Sequence, residues 1–307
     1  MARPLAEPMA HAPATVGVAA ERAATLLRTA GSPSARLDAE VLLAHVVGRD
    51  RSWILAHPEV PLDGAAADAF DLAVRRRADG EPVADIRGFK EWRSLRIRTD
   101  ARALIPRPET ELVVDAAVAE IEARLGRADE PIVAWDVATG SGAIALALAL
   151  RFRQSLALGR MTLVASDASP DALELASENL AVHGVQALVQ LALADLLAPA
   201  GDGLPRPDVL TANLPYVASA EVDERAGSLG YEPRIALDGG PDGLLLLRRL
   251  MAELPTRVNP GATAVLELGV DQAEILASMA PAGATIAVVR DLAGLDRVVR
   301  VQLAATA

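Results

Sequence analysis

Cysteine is missing from all 307 residues, which excludes disulfides, thiolate metal sites and a cysteine nucleophile and fits a reducing compartment. Lysine is nearly missing too. Lys90 is the only one, so a Schiff-base lysine is that residue or none. The histidines are His11, His45, His57 and His183. Their spacing matches no metal-ligand pattern, and they read as structural or solvent-facing. No apolar run approaches the roughly 18–20 residues of a membrane span, and the longest obvious one, 143–150, falls far short. The N-terminal stretch has no apolar signal region and carries Glu7, so residues 1–15 read as a flexible tail and the expected location is the cytoplasm. Positive charge is in deficit: 30 Lys+Arg against 41 Asp+Glu leave a net charge of −11. Tight nonspecific binding to nucleic acid relies on clustered cations, so no direct nucleic-acid contact is expected, and a basic protein remains open as a partner.

Apolar residues, by contrast, are plentiful at 51%, which rules out disorder over most of the chain. The length suits one large domain or two smaller ones. Residues 16–82 read as a helical N-terminal domain with candidate helices over 16–30, 35–47, 52–56 and 63–77. Gly31 and Gly48 are the stops, Ser34 is a candidate cap, and Leu37, Val41, Leu42 and Val46 form the apolar stripe of the second helix. Gly80-Glu81-Pro82 breaks the pattern. Residues 83–100 then alternate through Trp92, Leu95 and Ile97 like a β-hairpin linker.

Over 101–307, strands alternate with helices. The candidate strands are 132–137, 161–166, 188–191, 209–213, 262–268, 285–289 and 297–303; the candidate helices are 109–124, 143–152, 170–183, 242–254 and 271–280. Such alternation means crossover units and a parallel sheet, hence an α/β fold. Only 290–296 separates the last two strands, so they should close the sheet as an antiparallel hairpin.

Chemistry gathers at the strand ends. Asp136-Val-Ala138-Thr139-Gly140-Ser141-Gly142 joins a strand to a helix, where glycines bring backbone amides against a ligand and the helix start adds partial positive charge. Asp167 ends the second strand and is placed to accept two hydrogen bonds from the vicinal hydroxyls of a ribose. Together they indicate a nucleoside-containing cofactor. An acidic residue before the loop repels a pyrophosphate, which tilts the choice toward S-adenosylmethionine. Asp136 either holds the amino acid end of that cofactor, directly or through water, or caps the loop's own amides. Asp195 is either an acceptor for the adenine amino group, with Leu196 packing on the ring, or an ordinary loop acid.

Asn213-Leu214-Pro215-Tyr216 follows the fourth strand. Pro215 pushes Leu214 toward an extended conformation and leaves its carbonyl free to face a cleft; the Asn213 side chain supplies a second oxygen and Tyr216 a flat face. Two acceptors beside an aromatic ring suit a planar NH2 group, that is, an amide side chain or the exocyclic amine of adenine or cytosine. An amide nitrogen is a poor nucleophile, because its lone pair is delocalised; the rotational barrier of about 18–20 kcal/mol measures how strongly. Acceptors holding both N–H bonds orient that nitrogen and favour its pyramidalisation in a dry site.

The chain thereby resembles the HemK/PrmC family, the protein-(glutamine-N5) methyltransferases that act on peptide chain release factors. The resemblance covers residues 80–303. It is carried in order by Gly80-Glu81-Pro82-Val83, the run Leu104 to Glu111, the Asp136–Gly142 loop, Asp167 with Pro170, Ala172 and Leu173, and Asn213 to Tyr216. Tyr231 to Leu237, Gly239 to Gly243 and Asp291 to Val298 complete the series. It implies a Rossmann-like class I methyltransferase domain, S-adenosyl-L-methionine as cofactor, and an N-terminal domain that helps dock the release factor. The implied substrate is the glutamine of the Gly-Gly-Gln motif in bacterial class I release factors, bound by Asn213, Leu214, Pro215 and Tyr216. Two departures stand out: the family's usual Pro is Leu214 here, and the first loop glycine is Ala138. Arg107 is either a residue near the substrate at a lip over the pocket or part of an ordinary helix start. Competing readings are an N6-adenine methyltransferase on DNA or RNA, a ribosomal-protein glutamine methyltransferase, and a noncatalytic binding protein that keeps the fold.

Overall fold

The computed structural model describes residues 15–127, 130–198, 203–224 and 228–305. Two compact units divide at Arg87 and Gly88. Most of the expected N-terminal tail, residues 1–14, lies outside the described residues, while Thr15 caps the first helix.

The first unit is helical: α1 (Val16–Thr29), α2 (Ala35–Val47), α3 (Arg51–Ala56), α4 (Gly64–Ala78) and α5 (Val83–Arg87). Asp50 and Asp63 accept from the backbone amides of Trp53 and Ala66, satisfying donors that a helix start leaves free. Ser34 stands at the start of α2 but caps nothing; its hydroxyl donates to Asp38. Leu42 and Leu43 are fully buried, whereas Leu37, expected in the stripe, is 46% exposed. The inward side of α2 is taken by Ala35, Ala39 and two buried acids: Asp38 accepts from Arg77, and Glu40 from Arg36 and Arg51. Residues 83–87, expected as the start of the hairpin, are helical, because the Asp85 and Ile86 amides donate to the Pro82 carbonyl.

The second unit opens with an antiparallel hairpin of β1 (Phe89–Trp92) and β2 (Leu95–Arg98). Its main sheet contains β3 (Ile132–Val137), β4 (Met161–Asp167), β5 (Gln190–Leu193), β6 (Val209–Ala212), β7 (Thr263–Glu267), β8 (Thr285–Arg290) and β9 (Asp296–Gln302). The spatial order is β5-β4-β3-β6-β7-β9-β8. The first five are parallel, and β9 and β8 are antiparallel additions, as expected of a closing hairpin. The helices of this unit are α6 (Thr110–Leu125), α7 (Ala143–Arg151), α8 (Arg153–Ala157), α9 (Pro170–Val182), α10 (Ser219–Glu224), α11 (Leu245–Arg257) and α12 (Ala273–Ser278). Two large apolar clusters, one with Val113, Ile144 and Leu163, the other with Trp135, Leu210 and Leu250, and a small one of Ala103, Ala172 and Leu175 fill the unit among the described residues.

Three elements shift from their expected positions. The strand placed at 188–191 is Gln190–Leu193, because Gln186–Leu188 forms a single tight turn first. The helix placed at 242–254 begins at Leu245, since Gly240 and Gly243 hold left-handed backbone before it. The helix placed at 271–280 shrinks to Ala273–Ser278, because Asp271 has φ 67°, outside the helical region.

The chain's order of strands reverses at β3, with β4 and β5 on one side and β6 and β7 on the other. Open α/β sheets bind ligands in the crevice outside the strand C-termini at such a switch point. The ends of β3, β4, β6 and β7 carry the Asp136–Gly142 loop, Asp167, Asn213 and Glu267, and Asp195 lies two residues beyond β5.

Candidate active site

A cavity of about 390 Å3 opens at this switch point. Ala138, Thr139, Gly140, Ser141, Asp167, Asp195, Leu196, Asn213, Leu214 and Pro215 all line it, so most of the residues expected from sequence come together. A second space of about 130 Å3 is lined by Arg107, Asn213, Leu214, Pro215 and Tyr216. Asn213, Leu214 and Pro215 border both spaces.

The glycine loop is held from behind. Gly142 has φ 78°, and a Cβ there would meet Ala176 of α9 at 3.0 Å, so the position needs glycine for both backbone and space. Thr139 Oγ1 donates to Asp136 at 2.6 Å, and Thr211 Oγ1 donates to its other oxygen at 2.8 Å. Asp136 is 0% exposed and does not line the cavity. Its two oxygens are taken up by the hydroxyls of the loop's Thr139 and of Thr211 on β6, which tie the loop to the neighbouring strand. Burial pushes its carboxyl up to about 6, against the pull of those two hydroxyls.

Ala138 has φ 54°, a left-handed backbone that costs a residue with a Cβ roughly 1–2 kcal/mol. Ala138→Gly removes that strain and adds about 0.4–1 kcal/mol of unfolded-state entropy. The expected outcome is a net gain of roughly 0.5–1 kcal/mol, seen as a thermal midpoint about 1–3 °C higher, with no loss of cofactor affinity. A lower midpoint would contradict the strain.

Asp167 receives two backbone donors: Gly140 N to Oδ2 and Ser169 N to Oδ1, each at 2.9 Å. Burial raises its pKa, and those amides oppose the rise. Asp195 meets Arg249 of α11, whose Nη2 donates to it at 2.7 Å, a partner sequence reading missed. Leu196 is buried at the cavity wall.

At the partition, Asn213 Nδ2 donates to Thr110 Oγ1 at 3.2 Å, while Asn213 Oδ1 is buried with no hydrogen-bond partner. A buried acceptor without a donor is costly, and this one is free to take an N–H from outside the chain. Leu214, in place of the family's proline, is 2% exposed and still borders both spaces. Tyr216 is pushed up to about 12, first by burial and then by the charge of Glu267. Arg107 lines the smaller space and donates to buried Glu232, whose other oxygen accepts from the Ile105 amide at 2.9 Å. This clasp joins the 104–109 loop to the segment around Tyr231.

Sequence reading also missed Glu267. It is 1% exposed, and burial pushes it up to about 7, with the polar side chains of Thr110 and Asn213 nearby opposing the rise. The visible signal was an acid inside the apolar run Ala264-Val-Leu-Glu267-Leu-Gly269. A carboxylate whose pKa is raised on folding penalises the folded state where it is ionised: the cost is absent below about 4.5 and complete above about 7. Glu267→Gln removes that cost. We expect it to raise stability at pH 8 by roughly 1–3 kcal/mol, an advantage that fades as pH falls toward 5, checked by urea unfolding at both pH values.

Strand order 5-4-3-6-7-9-8 with an antiparallel closing pair, a glycine loop after the first parallel strand and an acid after the second define a class I methyltransferase. Residues 19–88 match the PrmC N-terminal domain family. The chain is 37% identical over 307 residues to a release factor glutamine methyltransferase of Rhodopirellula baltica, covering 98% of this chain and 100% of the relative. It is 39% identical to the enzyme of that name from Moorella thermoacetica, covering 88% and 92%, and 38% identical to that of Xylella fastidiosa, covering 89% and 95%. The chain belongs to the release factor glutamine methyltransferase family.

Proposed function

We propose that this enzyme transfers a methyl group from S-adenosyl-L-methionine to the side-chain amide nitrogen, N5, of the glutamine in the Gly-Gly-Gln motif of bacterial class I release factors, and so modulates translation termination. The carrying observation is the unpartnered Asn213 Oδ1 on the wall between a large and a small cavity. The residues fit both ligands. The larger space offers the amides of the 138–142 loop, the Asp167 carboxylate for ribose hydroxyls, Asp195 toward an amino group, and Leu196, Ile235 and Leu246 as apolar walls. When bound there, the cofactor supplies an electrophilic methyl group on a sulfonium.

The chain's own residues prepare the acceptor. Asn213 Oδ1 and the Leu214 carbonyl take the two N–H bonds of the glutamine amide, and Tyr216 backs its plane. With both N–H bonds held, the nitrogen lone pair is oriented and localises more easily, a contribution of several kcal/mol by positioning. Leu214, Pro215 and Leu237 exclude water from the smaller space. Arg107, braced by Glu232, guards its mouth. The helical first unit is assigned to docking the release factor.

Among the described residues no helix is long and apolar enough to cross a membrane, and no cluster of three metal-ligating side chains occurs. The cytoplasm, where release factors work, is the proposed location. The net charge of −11 disfavours the nucleic-acid alternative. The test is mass spectrometry of a release factor incubated with the enzyme and S-adenosylmethionine. One added methyl on the glutamine of the Gly-Gly-Gln peptide supports the proposal. Transfer to DNA or RNA, or to no substrate, refutes it.

A further inference from the structure

We propose that Gln272 is a positioning residue that clamps the Tyr216 carbonyl against the Gly239–Gly243 turn and thereby holds the Asn213–Tyr216 segment, with its Leu214 carbonyl, in place for the substrate amide. The inference deepens the reading of Asn213 and Leu214 as the two acceptors for that amide and rests on it.

The demand comes from the backbone. A carbonyl acceptor points where its peptide plane points. Among the described residues no hydrogen bond reaches the Leu214 carbonyl, so its direction is inherited from the planes that follow. The ring of Pro215 locks φ at about −65°. The Pro215 and Tyr216 planes are then left to be fixed, and the chain fixes both. The Pro215 carbonyl oxygen lies against Gly239, where a Cβ would stand 2.6 Å from it. A Cβ on Gly243 would overlap the Tyr216 carbonyl oxygen. Both glycines leave room that the 215–216 backbone occupies. Val217 pairs with the same turn: its amide donates to the Leu237 carbonyl at 3.1 Å, and its carbonyl accepts from the Gly239 amide at 2.8 Å.

Gln272, between β7 and α12, closes the clamp. Its Nε2 donates to the Tyr216 carbonyl at 3.2 Å, and the Gly243 carbonyl lies 3.5 Å from the same nitrogen. Its Oε1 accepts from the Gly269 amide at 3.0 Å. One end of the side chain faces a backbone N–H and the other faces two carbonyl oxygens, so only one orientation of the amide matches both. Gly269 gives the side chain its room, since a Cβ there would meet both Gln272 and the Tyr216 ring at 3.2 Å. Gln272, Gly239 and Gly243 line neither cavity. The clamp therefore acts through the Asn213–Tyr216 segment and not by touching cofactor or amide. It also gives the Gly239-Gly240-Pro241-Asp242-Gly243 run a physical task.

The experiment uses the full chain, an unmethylated release factor and S-adenosylmethionine at pH 8. Gln272→Glu keeps an acceptor for the Gly269 amide but sets a carboxylate oxygen, ionised well above its ordinary pKa of about 4.3, against the Tyr216 carbonyl. Gln272→Met fills the same room with no polar end. A misplacement of about 1 Å can cost about 10²-fold in rate, so Gln272→Glu should lose at least about tenfold in kcat. Its KM for release factor and its dissociation constant for S-adenosylmethionine should each stay within about threefold, the pattern of an interaction felt in the transition state. Gln272→Met should turn over at least about threefold faster than Gln272→Glu, because it leaves the carbonyl unheld without repelling it. Wild-type kcat in Gln272→Glu overturns the inference. So does a Gln272→Met enzyme as slow as Gln272→Glu or slower, which would mark a packing role, since the glutamate preserves the tie to Gly269. A loss that appears as weaker cofactor binding overturns it as well. A wild-type enzyme that methylates no release factor overturns the underlying function, and the positioning role falls with it.

Discussion

Replacing Asn213 with alanine should lower kcat for methyl transfer to release factor by about a thousandfold or more, while the dissociation constant for S-adenosylmethionine stays within about threefold. Removing one preorganised hydrogen-bonding group from a catalytic centre typically costs about 10²–10³ in rate. Here the loss is compounded. The truncated side chain also frees Thr110 from the hydrogen bond that ties α6 to the partition. Cofactor affinity is spared because most of the larger cavity is built by other elements: the loop after β3, Asp167 after β4, and Asp195 and Leu196 after β5. Rapid-quench turnover and calorimetry read the two quantities separately. Turnover within tenfold of wild type would remove Asn213 from its assigned role.

Asp167→Ala should do the reverse. Two charge-assisted hydrogen bonds to ribose hydroxyls are worth about 1.5–3 kcal/mol each, so the dissociation constant for S-adenosylmethionine should rise by at least about a hundredfold. Part of that loss is indirect, since the Gly140 and Ser169 amides lose their acceptor and the glycine loop loses a tie. At saturating cofactor, kcat should fall by less than about tenfold, because Asp167 does not line the smaller space proposed to hold the amide. An unchanged dissociation constant would take Asp167 out of the cofactor site.

The contrast between these two residues and Glu267 illustrates what sequence can disclose. Asp167 and Asn213 were legible because an apolar strand run has a visible end, and in a parallel sheet every such end opens onto one crevice. The Asn-Leu-Pro-Tyr segment added a local reason: a proline fixes the backbone of its neighbour whatever the tertiary setting. The role of Asp136 stayed open because its partners divide between local and distant. Thr139 is three residues away, but Thr211 reaches it from another strand, and together they turn the carboxylate inward. Asp195 and Arg249 stand 54 positions apart, and Arg107 and Glu232 stand 125 apart, separations at which no periodicity signals a pair.

The helical unit was legible in outline and misread in detail. Its stops and its Asp63 boundary follow from local backbone chemistry. The inward side of α2 does not, because arginines elsewhere in the sequence neutralise Asp38 and Glu40 and let them occupy positions expected of Leu37. Glu267 was hidden for a different reason: it is a buried acid with one oxygen left without a partner. An acid in a strand with leucine on both sides reads as an anomaly until the fold places it at the strand end, where β7 lies beside β6 and Asn213.

The most direct measurement is a crystal structure of the enzyme with S-adenosylhomocysteine and a release factor bound. The glutamine side-chain nitrogen should lie within hydrogen-bond distance, about 2.7–3.2 Å, of both Asn213 Oδ1 and the Leu214 carbonyl oxygen, with the cofactor sulfur facing it across the partition. A complex in which the enzyme's own side chains occupy that corner, or in which the glutamine approaches from another face of the sheet, would contradict the assignment.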